Sequence, residues 1–547
     1  MNKRYLFIAA FLLTGAAGFS QKEKKSAPEG WHLKDKDQSG LYGISLDKAY
    51  EWLRVKKIKS NTVLVAVIDS GIDTLHEDLK PVLWVNKKEI PGNKKDDDKN
   101  GYVDDVNGWN FIGGKDGRNV KEDSYEAARV YNRLKLKYGN TVPDPETVKP
   151  EEKDEVVMYG KAYKKVVGDV NPMEEMMLKK MLPGFKKGDS VIVKELGKKE
   201  YSCKDLEAYQ TSDADAKKVK MLLTQICKGN ESDDITNVQI IDEMEGQLRK
   251  IDAAKNPPQE YRKEIVKDNE SDFNDRYYGN NDLMASTPFH GTHCSGIIGA
   301  VRNNQKGIDG VADNVRIMTI RAVPDGDEHD KDIALAIRYA VDNGAQIVSM
   351  SFGKDFSPEK HWVDEAVRYA ESKGVLLVHA AGNDAKNIDS SDNFPNPVFL
   401  KNKARAANWI TVGASGDPSN GGITANFSNY GKSEVDVFAP GVQIYSTIPG
   451  GNTYGNASGT SMACPVVAGT AALLLSYFPT LTAQQLKMVL EKSAVAPKLE
   501  VNKPGSEEKT SLKELSRTGG IINAYEAVKL ASTVKGERKI TPTKSMK

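Results

Sequence analysis

The chain has 547 residues, and its 77 lysines and arginines almost balance its 76 aspartates and glutamates, for a formal net charge of +1. This balance gives no electrostatic argument for a nucleic-acid partner or a membrane surface. Hydrophobic residues make up 39% and there are 46 glycines, which is typical of a globular protein with many tight turns. The length predicts one large domain with an addition.

The N-terminal sequence MNKRYLFIAAFLLTGAAGFS indicates a secretory signal peptide at residues 1–20. Lys3 and Arg4 precede a short apolar run, and the small residues Gly18 and Ser20 suit cleavage after Ser20. The run is short for a transmembrane anchor, and no later apolar stretch is long enough to cross a bilayer. We expect an exported protein, periplasmic or extracellular, with no membrane anchor after signal removal.

Strand and helix patterns alternate from about residue 45. The strands are continuous apolar runs, as in a sheet covered on both faces, and the amphipathic helices between them stop at glycines. This alternation predicts an α/β protein with three α/β/α layers and a mostly parallel sheet. The predicted strands are TVLVAVIDSGID, VRIMTIRAV, AQIVSMSFG, GVLLVHAAGND and WITVGAS.

Residues 116–285 break this rhythm, because they are rich in lysine and glutamate and mostly helical in pattern. They predict a largely helical inserted subdomain, called the insert below. Its methionines at helical spacing indicate a core or interface position; they are Met173, Met176, Met177 and Met181. The other predicted segments are a short N-terminal stretch at 21–37, the main domain at 38–115 and 286–535, and a basic tail at 536–547.

Four cysteines are too few for a disulfide framework. Cys203 and Cys227 both lie in the insert and could pair after export. Cys294 and Cys464 lie in apolar, helix-forming surroundings, where buried thiols are expected.

Three polar residues stand at element boundaries where catalysis is common. Asp69 ends the first strong strand, His290 lies in TPFHGTHCSG, and Ser461 opens an apolar helix. Ligand sites form at the carboxyl ends of parallel strands, and a helix N-terminus favours developing negative charge. Singly, Asp69 is equally a turn residue and Ser461 an N-cap. Together, in the order Asp, His, Ser, they predict a catalytic triad.

A metal site is the alternative for TPFHGTHCSG. His290 and His293 can share a helical face, and Cys294 is a further zinc-type ligand. That interpretation leaves Asp69 and Ser461 unexplained, and no other cysteine–histidine cluster supplies ligands. We therefore interpret His290 as the general base and His293 as a buried, hydrogen-bonded helix residue.

The segments AVIDSGID, HGTHCSG and GTSMACPVVAG, with VSMSFG, VHAAGND and FSNYG…VDVFAPGV, resemble the motifs of the subtilisin-like serine peptidases, or subtilases. Outside the insert the resemblance covers roughly residues 38–115 and 286–530. It implies a subtilisin-like fold and a serine endopeptidase that forms an acyl-enzyme on Ser461. His290 would act as the base and Asp69 would hold its tautomer. Protein or peptide substrates are implied, and we expect a monomer.

The same resemblance assigns Asn383 as the side-chain donor to the oxyanion, opposite the Ser461 N–H. Without it, Asn383 would be read as a turn residue. The substrate strand and the facing wall of the specificity pocket are implied at Ser351, Phe352, Gly353, Ala380, Ala381 and Gly382. Phe352 replaces a smaller aliphatic residue, and Lys354 and Asp355 replace small residues. These departures leave the preferred substrate residue open, with an apolar or aromatic residue as the default.

Calcium is the implied ion, in an all-oxygen shell. The first site would use Gln38, Asp78 and Asn304, with main-chain carbonyls of Arg302, Lys306 and Ile308. A second candidate is DDDKNGYVDD, whose D-x-D-x-N-G spacing suggests as ligands Asp96, Asp98, Asn100 and either Asp104 or Asp105. Asn107 stands where a bidentate glutamate would be expected, so a solvated acidic turn is the alternative.

Two features depart from the resemblance. Residues 21–45 are too short for the folding prodomain that usually precedes such a domain. The insert lies between Asp69 and His290 and returns into PFHGTH at the rim of the cleft. We hypothesise that it limits access, favouring unfolded or short peptides, and partly replaces the prodomain. A peripheral decoration that affects only stability or docking is the alternative.

Overall fold

The computed structural model describes residues 27–168, 171–230, 235–286, 288–418 and 420–539. The signal peptide predicted at 1–20 lies outside these ranges, and so does the 540–547 part of the predicted basic tail. Within them the chain forms the main domain and the helical insert.

The centre of the main domain is an eight-stranded, mostly parallel sheet. Its strands are β1 (Val63–Asp69), β2 (Gly108–Asn110), β3 (Val315–Arg321), β4 (Ile347–Met350), β5 (Leu376–Ala380), β6 (Trp409–Asp417), β7 (Asn420–Thr424) and β8 (Val437–Pro440). Their order is β2-β3-β1-β4-β5-β6-β7, with β8 paired to β6. β1 pairs in parallel with β3 and β4, whereas β6 and β7 are antiparallel. The predicted strands are therefore all present.

Fifteen α-helices are described. The first two belong to the main domain and are α1 (Lys36–Ser39) and α2 (Leu46–Val55). Those of the insert are α3 (Glu126–Tyr138), α4 (Lys153–Tyr163), α5 (Pro172–Leu196), α6 (Cys203–Leu206), α7 (Ala214–Asn230), α8 (Asn237–Asp252) and α9 (Tyr261–Ile265). The rest are α10 (Phe289–Gly299), α11 (Asp330–Asp342), α12 (Lys360–Ser372), α13 (Thr460–Tyr477), α14 (Ala483–Lys492) and α15 (Ala524–Ala531).

Helices cover both faces of the sheet. On one face α2, α10, α13, α14 and α15 share a core with β1, β5 and β6. On the other face α11 and α12 pack against the same sheet. This arrangement confirms the predicted three-layer α/β/α fold.

The expectation that no later apolar stretch could cross a bilayer is wrong by length and composition, because α13, alone among the helices of the described ranges, is long and apolar enough. However, 89% of it is buried inside the protein, as in a core helix. A hairpin of β9 (Ile444–Ile448) and β10 (Thr453–Ala457) leads into it. A smaller pair, β11 (Val501–Asn502) and β12 (Lys509–Thr510), lies near the C-terminal helix.

The N-terminal segment packs into the main domain. Trp31 and His32 are fully buried, and the Trp31 indole donates to the main-chain oxygen of Val442 at 3.0 Å. The Ala27 N–H donates to the side chain of Gln443 at 2.8 Å. Ala27, Trp31 and Leu33 are therefore part of the core, and this segment bonds the residues just before β9.

The insert is helical, as predicted, and has two apolar clusters. The inner insert cluster joins α3, α4 and Val166 to Phe356 of the main domain. The outer insert cluster is formed by residues of the four helices α5, α6, α7 and α8. The predicted methionine stripe is only partly buried, because Met181 packs on the outer insert cluster whereas Met173 and Met176 are exposed.

The cysteines behave as predicted. Cys203 and Cys227 form a disulfide in the outer insert cluster. Cys294 and Cys464 are buried free thiols of the main domain.

Both ends of the insert segment pack against the main domain and form hydrogen bonds with it. Asn110 at the end of β2 and Asn280 exchange main-chain hydrogen bonds of 2.9 and 3.1 Å. Val120 and Tyr278 are buried in the core beneath α11. The helices of the insert therefore occupy a narrower range than 116–285, from Glu126 to Ile265.

Candidate active site

Asp69 and His290 are hydrogen-bonded partners. Asp69 is the last residue of β1, at the carboxyl edge of the sheet, and its side chain is 3% exposed. His290 is the second residue of α10, and its Nδ1 lies 2.8 and 3.0 Å from the two Asp69 carboxylate oxygens. Gly291 makes this approach possible, since a Cβ there would lie 2.1 Å from the Gly71 carbonyl oxygen.

The Asp69 carboxylate sets the basicity of His290. Burial lowers the pKa of the imidazole, but the charge and hydrogen bond of Asp69 outweigh burial and raise the pKa above its ordinary value of 6.5. The bond at Nδ1 leaves Nε2 as the nitrogen that can accept a proton. The pair therefore has the geometry of a general base held by a carboxylate.

Ser461 is the second residue of α13, at the end where a helix favours negative charge. Its hydroxyl donates to the main-chain oxygen of Ser351 at 3.2 Å, and the Ser351 hydroxyl donates to the Ser461 carbonyl at 3.0 Å. Cys294, one turn after His290, also donates to that carbonyl at 3.3 Å. The helices of the predicted base and nucleophile therefore meet at Ser461.

Asn383 lies beside the start of α13. Its side-chain oxygen accepts hydrogen bonds from the Thr460 N–H at 2.8 Å and the Thr460 hydroxyl at 3.0 Å. Its amide nitrogen is thereby turned to Gly459, where a Cβ would lie 3.4 Å from Asn383 Nδ2 and 3.5 Å from Ser461 N. Both nitrogens thus lie within 3.5 Å of one point beside Gly459, and an oxyanion would need two such N–H donors nearby.

Asn429 is a supporting residue that the motifs did not single out. It is 1% exposed, and its Oδ1 accepts from the Asp384 N–H at 3.0 Å and the Lys386 N–H at 2.9 Å. Its Nδ2 donates to the Ala381 carbonyl at 2.8 Å. These bonds hold the loop on both sides of Asn383. Its place in FSNYG, far along the chain, gave no signal of this contact.

The predicted substrate residues follow two neighbouring parallel strands. Ser351, Phe352 and Gly353 follow β4, and Ala380, Ala381 and Gly382 end or follow β5. Asn393, which sequence analysis missed, lies between the two walls. Its side-chain oxygen is 3.7 Å from the place of a Cβ on Gly353 and 3.6 Å from that of a Cβ on Gly382.

His293 is buried and hydrogen-bonded, as expected, with Nε2 donating to the Gly455 carbonyl at 3.1 Å. Burial lowers its pKa to about 4. Asp69, His290 and Cys294 do offer ligand atoms within 4.8 Å of one another. However, His290 Nδ1 already bonds Asp69, and burial raises the pKa of the Cys294 thiol well above its ordinary value. The donor chemistry therefore favours the triad over a metal site.

The first predicted calcium shell is partly assembled. Asn304 donates to the carboxylate of Asp78, which is fully buried and also accepts from the Tyr454 hydroxyl at 2.7 Å. The Val301 N–H donates to the Asp78 carbonyl at 3.1 Å, so the loop with the Arg302, Lys306 and Ile308 carbonyls starts beside Asp78. Gln38, by contrast, is exposed on α1. Asp78 offers carboxylate oxygens to a cation, whereas Asn304 turns its amide nitrogen to Asp78 and its amide oxygen accepts from the Lys306 N–H at 3.0 Å.

In the second candidate loop, the acidic residues that cluster together are not the predicted set. Asp96 and Asp98 lie with Glu89, all offering oxygens within 4.8 Å of one another. Asp104 instead accepts from the main-chain N–H groups of Gly92 and Lys94, at 2.9 and 2.8 Å. The remaining predicted residues also bond each other, since the Asn100 amide donates to Asp105 at 2.9 Å.

A cavity of about 1110 Å³ lies between the insert and the main domain, away from the triad. Its lining includes Arg129, Glu270, His329 and Trp362. Its charges already pair with one another, as in the bonds of His329 to Asp123 at 3.0 Å and to Glu270 at 2.7 Å. The triad therefore remains the candidate site.

A parallel sheet with Asp69 bonded to His290 at its carboxyl edge, and with Ser461 at the start of α13, is the arrangement typical of a serine hydrolase. The Subtilase family model matches residues 60–520. The chain belongs to the subtilase family, and is thereby classed with the serine-type endopeptidases.

Three characterised relatives show the extent of the similarity. A thermophilic serine proteinase of Bacillus sp. (strain AK1) is 45% identical over 206 residues, 38% of this chain and 46% of that protein. Thermitase of Thermoactinomyces vulgaris is 37% identical over 245 residues, 44% of this chain and 74% of thermitase. Subtilisin DY of Bacillus licheniformis is 38% identical over 206 residues, 38% of this chain and 70% of the subtilisin. The match thus spans less than half of the first relative's length.

A solved structure, described as proteases from Pseudoalteromonas arctica, aligns over 92% of this chain and 96% of its own, with 20% identity and a TM-score of 0.44.

Proposed function

We propose that this protein is an exported serine endopeptidase that hydrolyses peptide bonds through an acyl-enzyme on Ser461. The observation that carries the proposal is the hydrogen bond of His290 Nδ1 to Asp69 at 2.8 Å, on a helix whose Cys294 also donates to the Ser461 carbonyl. His290 takes the Ser461 proton as Oγ attacks the substrate carbonyl, and returns it to the leaving amine as the C–N bond breaks. Water then repeats the sequence and releases the acid.

The Ser461 hydroxyl must change partner during this cycle. It donates to the Ser351 carbonyl at 3.2 Å, whereas general-base catalysis needs a hydrogen bond to His290. A peptide that pairs with Ser351–Gly353 as an added strand would sit beside this bond. We infer that substrate binding turns the hydroxyl to His290 Nε2.

The remaining assignments rest on the sequence and on partial geometry. The N-terminal sequence and a Cys203–Cys227 disulfide suit an exported protein, because disulfides persist in oxidising compartments. Asp78 with Asn304, and Glu89 with Asp96 and Asp98, would hold calcium ions that stabilise the fold. The insert, tied to the cleft at both ends, would restrict access and favour unfolded or short peptides.

Labelling with a fluorophosphonate tests the function directly. The reagent should label the wild-type protein and fail to label Ser461→Ala. A catalytically idle binding protein on the same fold would leave both proteins unlabelled. A metal-dependent hydrolase would cleave peptides without labelling at Ser461, and its activity would fall on chelation.

A further inference from the structure

The substrate residues Ser351–Gly353 continue directly into a residue that the insert holds. Lys354 follows them, and its side chain is only 1% exposed. Its ammonium donates to the Glu126 carboxylate and to the Glu328 main-chain oxygen, both at 2.7 Å. It also lies 2.9 Å from the Asp330 carboxylate. Because an ammonium has three donors, these three acceptors satisfy it.

Glu126 is the insert's member of this group. It is the first residue of α3, and Arg129 one turn later also donates to it at 2.6 Å. Burial lowers the pKa of Lys354, but Asp330 and Glu126 outweigh burial and hold the pKa above its ordinary value. Lys354 therefore stays charged. Neutralising Glu126 would leave that buried charge short of a partner, which is costly.

The neighbours of Lys354 contact the insert as well. Phe356 is 5% exposed and packs in the inner insert cluster. Asp355 pairs with Lys165, and Asp392 pairs with Lys161. The two main-domain segments that carry Asp355 and Asp392 thus both rest on the insert.

These two segments are also joined to each other. The Lys354 N–H donates to the Phe394 carbonyl at 2.9 Å, and the Phe394 N–H donates to the Lys354 carbonyl at 2.9 Å. Gly353 therefore stands one residue before this bridge, and Asn393 stands one residue before it on the other strand. The bridge is antiparallel, so Gly353 and Asn393 lie on opposite sides of it, with Asn393 Oδ1 3.7 Å from the place of a Cβ on Gly353. A shift of Lys354 would therefore move Gly353 relative to Asn393.

We propose that the insert positions the specificity pocket, because Glu126 acts through Lys354 to hold Ser351–Gly353 in register for a peptide. This proposal rests on the proposed function. Glu126 and Lys354 are positioning residues that act through the strand. Peptide binding depends on them, whereas a small phosphonylating reagent forms no strand pairing with Ser351–Gly353.

The test is Glu126→Gln, which keeps the side-chain shape and removes the charge. For a short chromogenic peptide we expect KM to rise on the order of tenfold with a smaller fall in kcat, since displacements of about 1 Å have effects of this size or larger. The rate of Ser461 labelling by a small fluorophosphonate should stay at the wild-type value. If Glu126→Gln is labelled at the wild-type rate and its KM for the peptide is unchanged, the proposal is overturned.

Asp332→Asn is the matched control. Asp332 is fully buried and accepts from Arg262 of α9 at 2.9 Å, so it joins the insert to the main domain without contacting Lys354's group. We expect a lower thermal midpoint and an unchanged peptide KM. An equal rise of KM in Asp332→Asn would show that general docking, rather than Lys354, sets the pocket, and would overturn the proposal.

Lys165→Ala provides a surface variant should Glu126→Gln fail to fold. The Lys165 side chain is 49% exposed, so its loss spares the core. A smaller rise of KM in the same direction supports the proposal, and an unchanged KM overturns it. Absence of fluorophosphonate labelling in the wild type is a separate result, which contradicts the proposed function itself.

Discussion

The side-chain oxygen of Asn383 accepts from both the N–H and the hydroxyl of Thr460, at 2.8 and 3.0 Å. An amide held by its oxygen can present only its nitrogen to the other side. Thr460 thus orients the group that would meet the oxyanion. This orientation is available before any substrate binds.

Asn383→Ala should lower kcat on the order of 10²–10³-fold with little change in KM, because the lost donor acts on the transition state. Peptide hydrolysis at saturating substrate measures this. Thr460→Val, which removes the hydroxyl but keeps the N–H, is the control and should cost less. Equal kcat in Asn383→Ala and wild type would remove Asn383 from the mechanism.

The two histidines of HGTH should respond differently to alanine. His290→Ala should abolish peptide hydrolysis, because Asp69 would then hold no base. His293→Ala should lower the thermal midpoint, since it removes a buried ring and its bond to Gly455, while the folded fraction keeps its activity. Loss of turnover in folded His293→Ala with activity retained in His290→Ala would reverse the assignment.

Asp69→Asn tests the pH dependence. The Asp69 carboxylate raises the pKa of His290 above 6.5, so kcat/KM should rise with pH through that raised pKa as the base loses its proton. In Asp69→Asn this limb should move to lower pH, and the rate should fall on the order of 10⁴-fold. An unmoved limb would mean that another group titrates.

Calcium should raise the thermal midpoint and chelation should lower it, because an ion bound only by the folded state stabilises it, by about 2.7 kcal/mol at a free concentration a hundredfold above Kd. Asp78→Ala should blunt the response through the first site, and Asp96→Ala through the second. A thermal midpoint that changes with neither calcium nor chelator would rule out the two sites.

The stabilisation from two buried groups should fall as pH rises from about 4.5 to about 9, because both groups prefer their protons in the folded state. Burial raises the pKa of Glu328 from 4.5 to about 8, against the pull of Lys354. Burial and Arg129 lower the pKa of His329, but Asp123 and Glu270 outweigh them and raise it from 6.5 to about 9.

The sign is the same for both groups. Each folded pKa lies above the unfolded one, so the stabilisation is complete below the unfolded pKa and disappears as pH passes the folded pKa. Glu328→Gln should therefore flatten the fall between about pH 4.5 and 8, while the His329 contribution still falls between about pH 6.5 and 9. Thermal midpoints that decline in parallel for both proteins would exclude Glu328 as a source.

The outer insert cluster can be removed to test the proposed access role. Replacing residues 172–252 by a Gly/Ser linker should leave α3 and α4 on Lys354 and Phe356, while widening the approach to the cleft. Cleavage of casein should then increase relative to cleavage of a short chromogenic peptide. A folded, active variant with an unchanged ratio would rule out the gate, and unchanged refolding yield would rule out a chaperone role.

The triad could be proposed from the sequence because each member lies in a short local motif, and the structure pairs two of its members, Asp69 and His290. Asp69, His290 and Ser461 each stand at a strand end or a helix start that hydrophobic periodicity already marks. The central strands were predictable for the same reason, since runs such as Val63–Asp69 are buried on both faces.

Contacts between distant segments were not predictable. Glu126 and Lys354 are 228 positions apart, and each alone reads as a solvated charge. Asn429 holds the Asn383 loop, and Asn393 lies in the pocket, although neither sits in a periodic pattern. Glu89 replaces Asp104 beside Asp96 because the loop folds back on itself, which a spacing rule cannot anticipate.

The buried N-terminal segment decides how the protein can be produced. A recombinant version that began at residue 38, where the resemblance to relatives starts, would lose Trp31 and its bond to Val442; the loss of a buried tryptophan costs about 3–5 kcal/mol. An affinity tag ahead of Ala27 would need a spacer long enough for this segment to reach its contacts with Val442 and Gln443. Placing the tag at the C-terminal end leaves these contacts undisturbed.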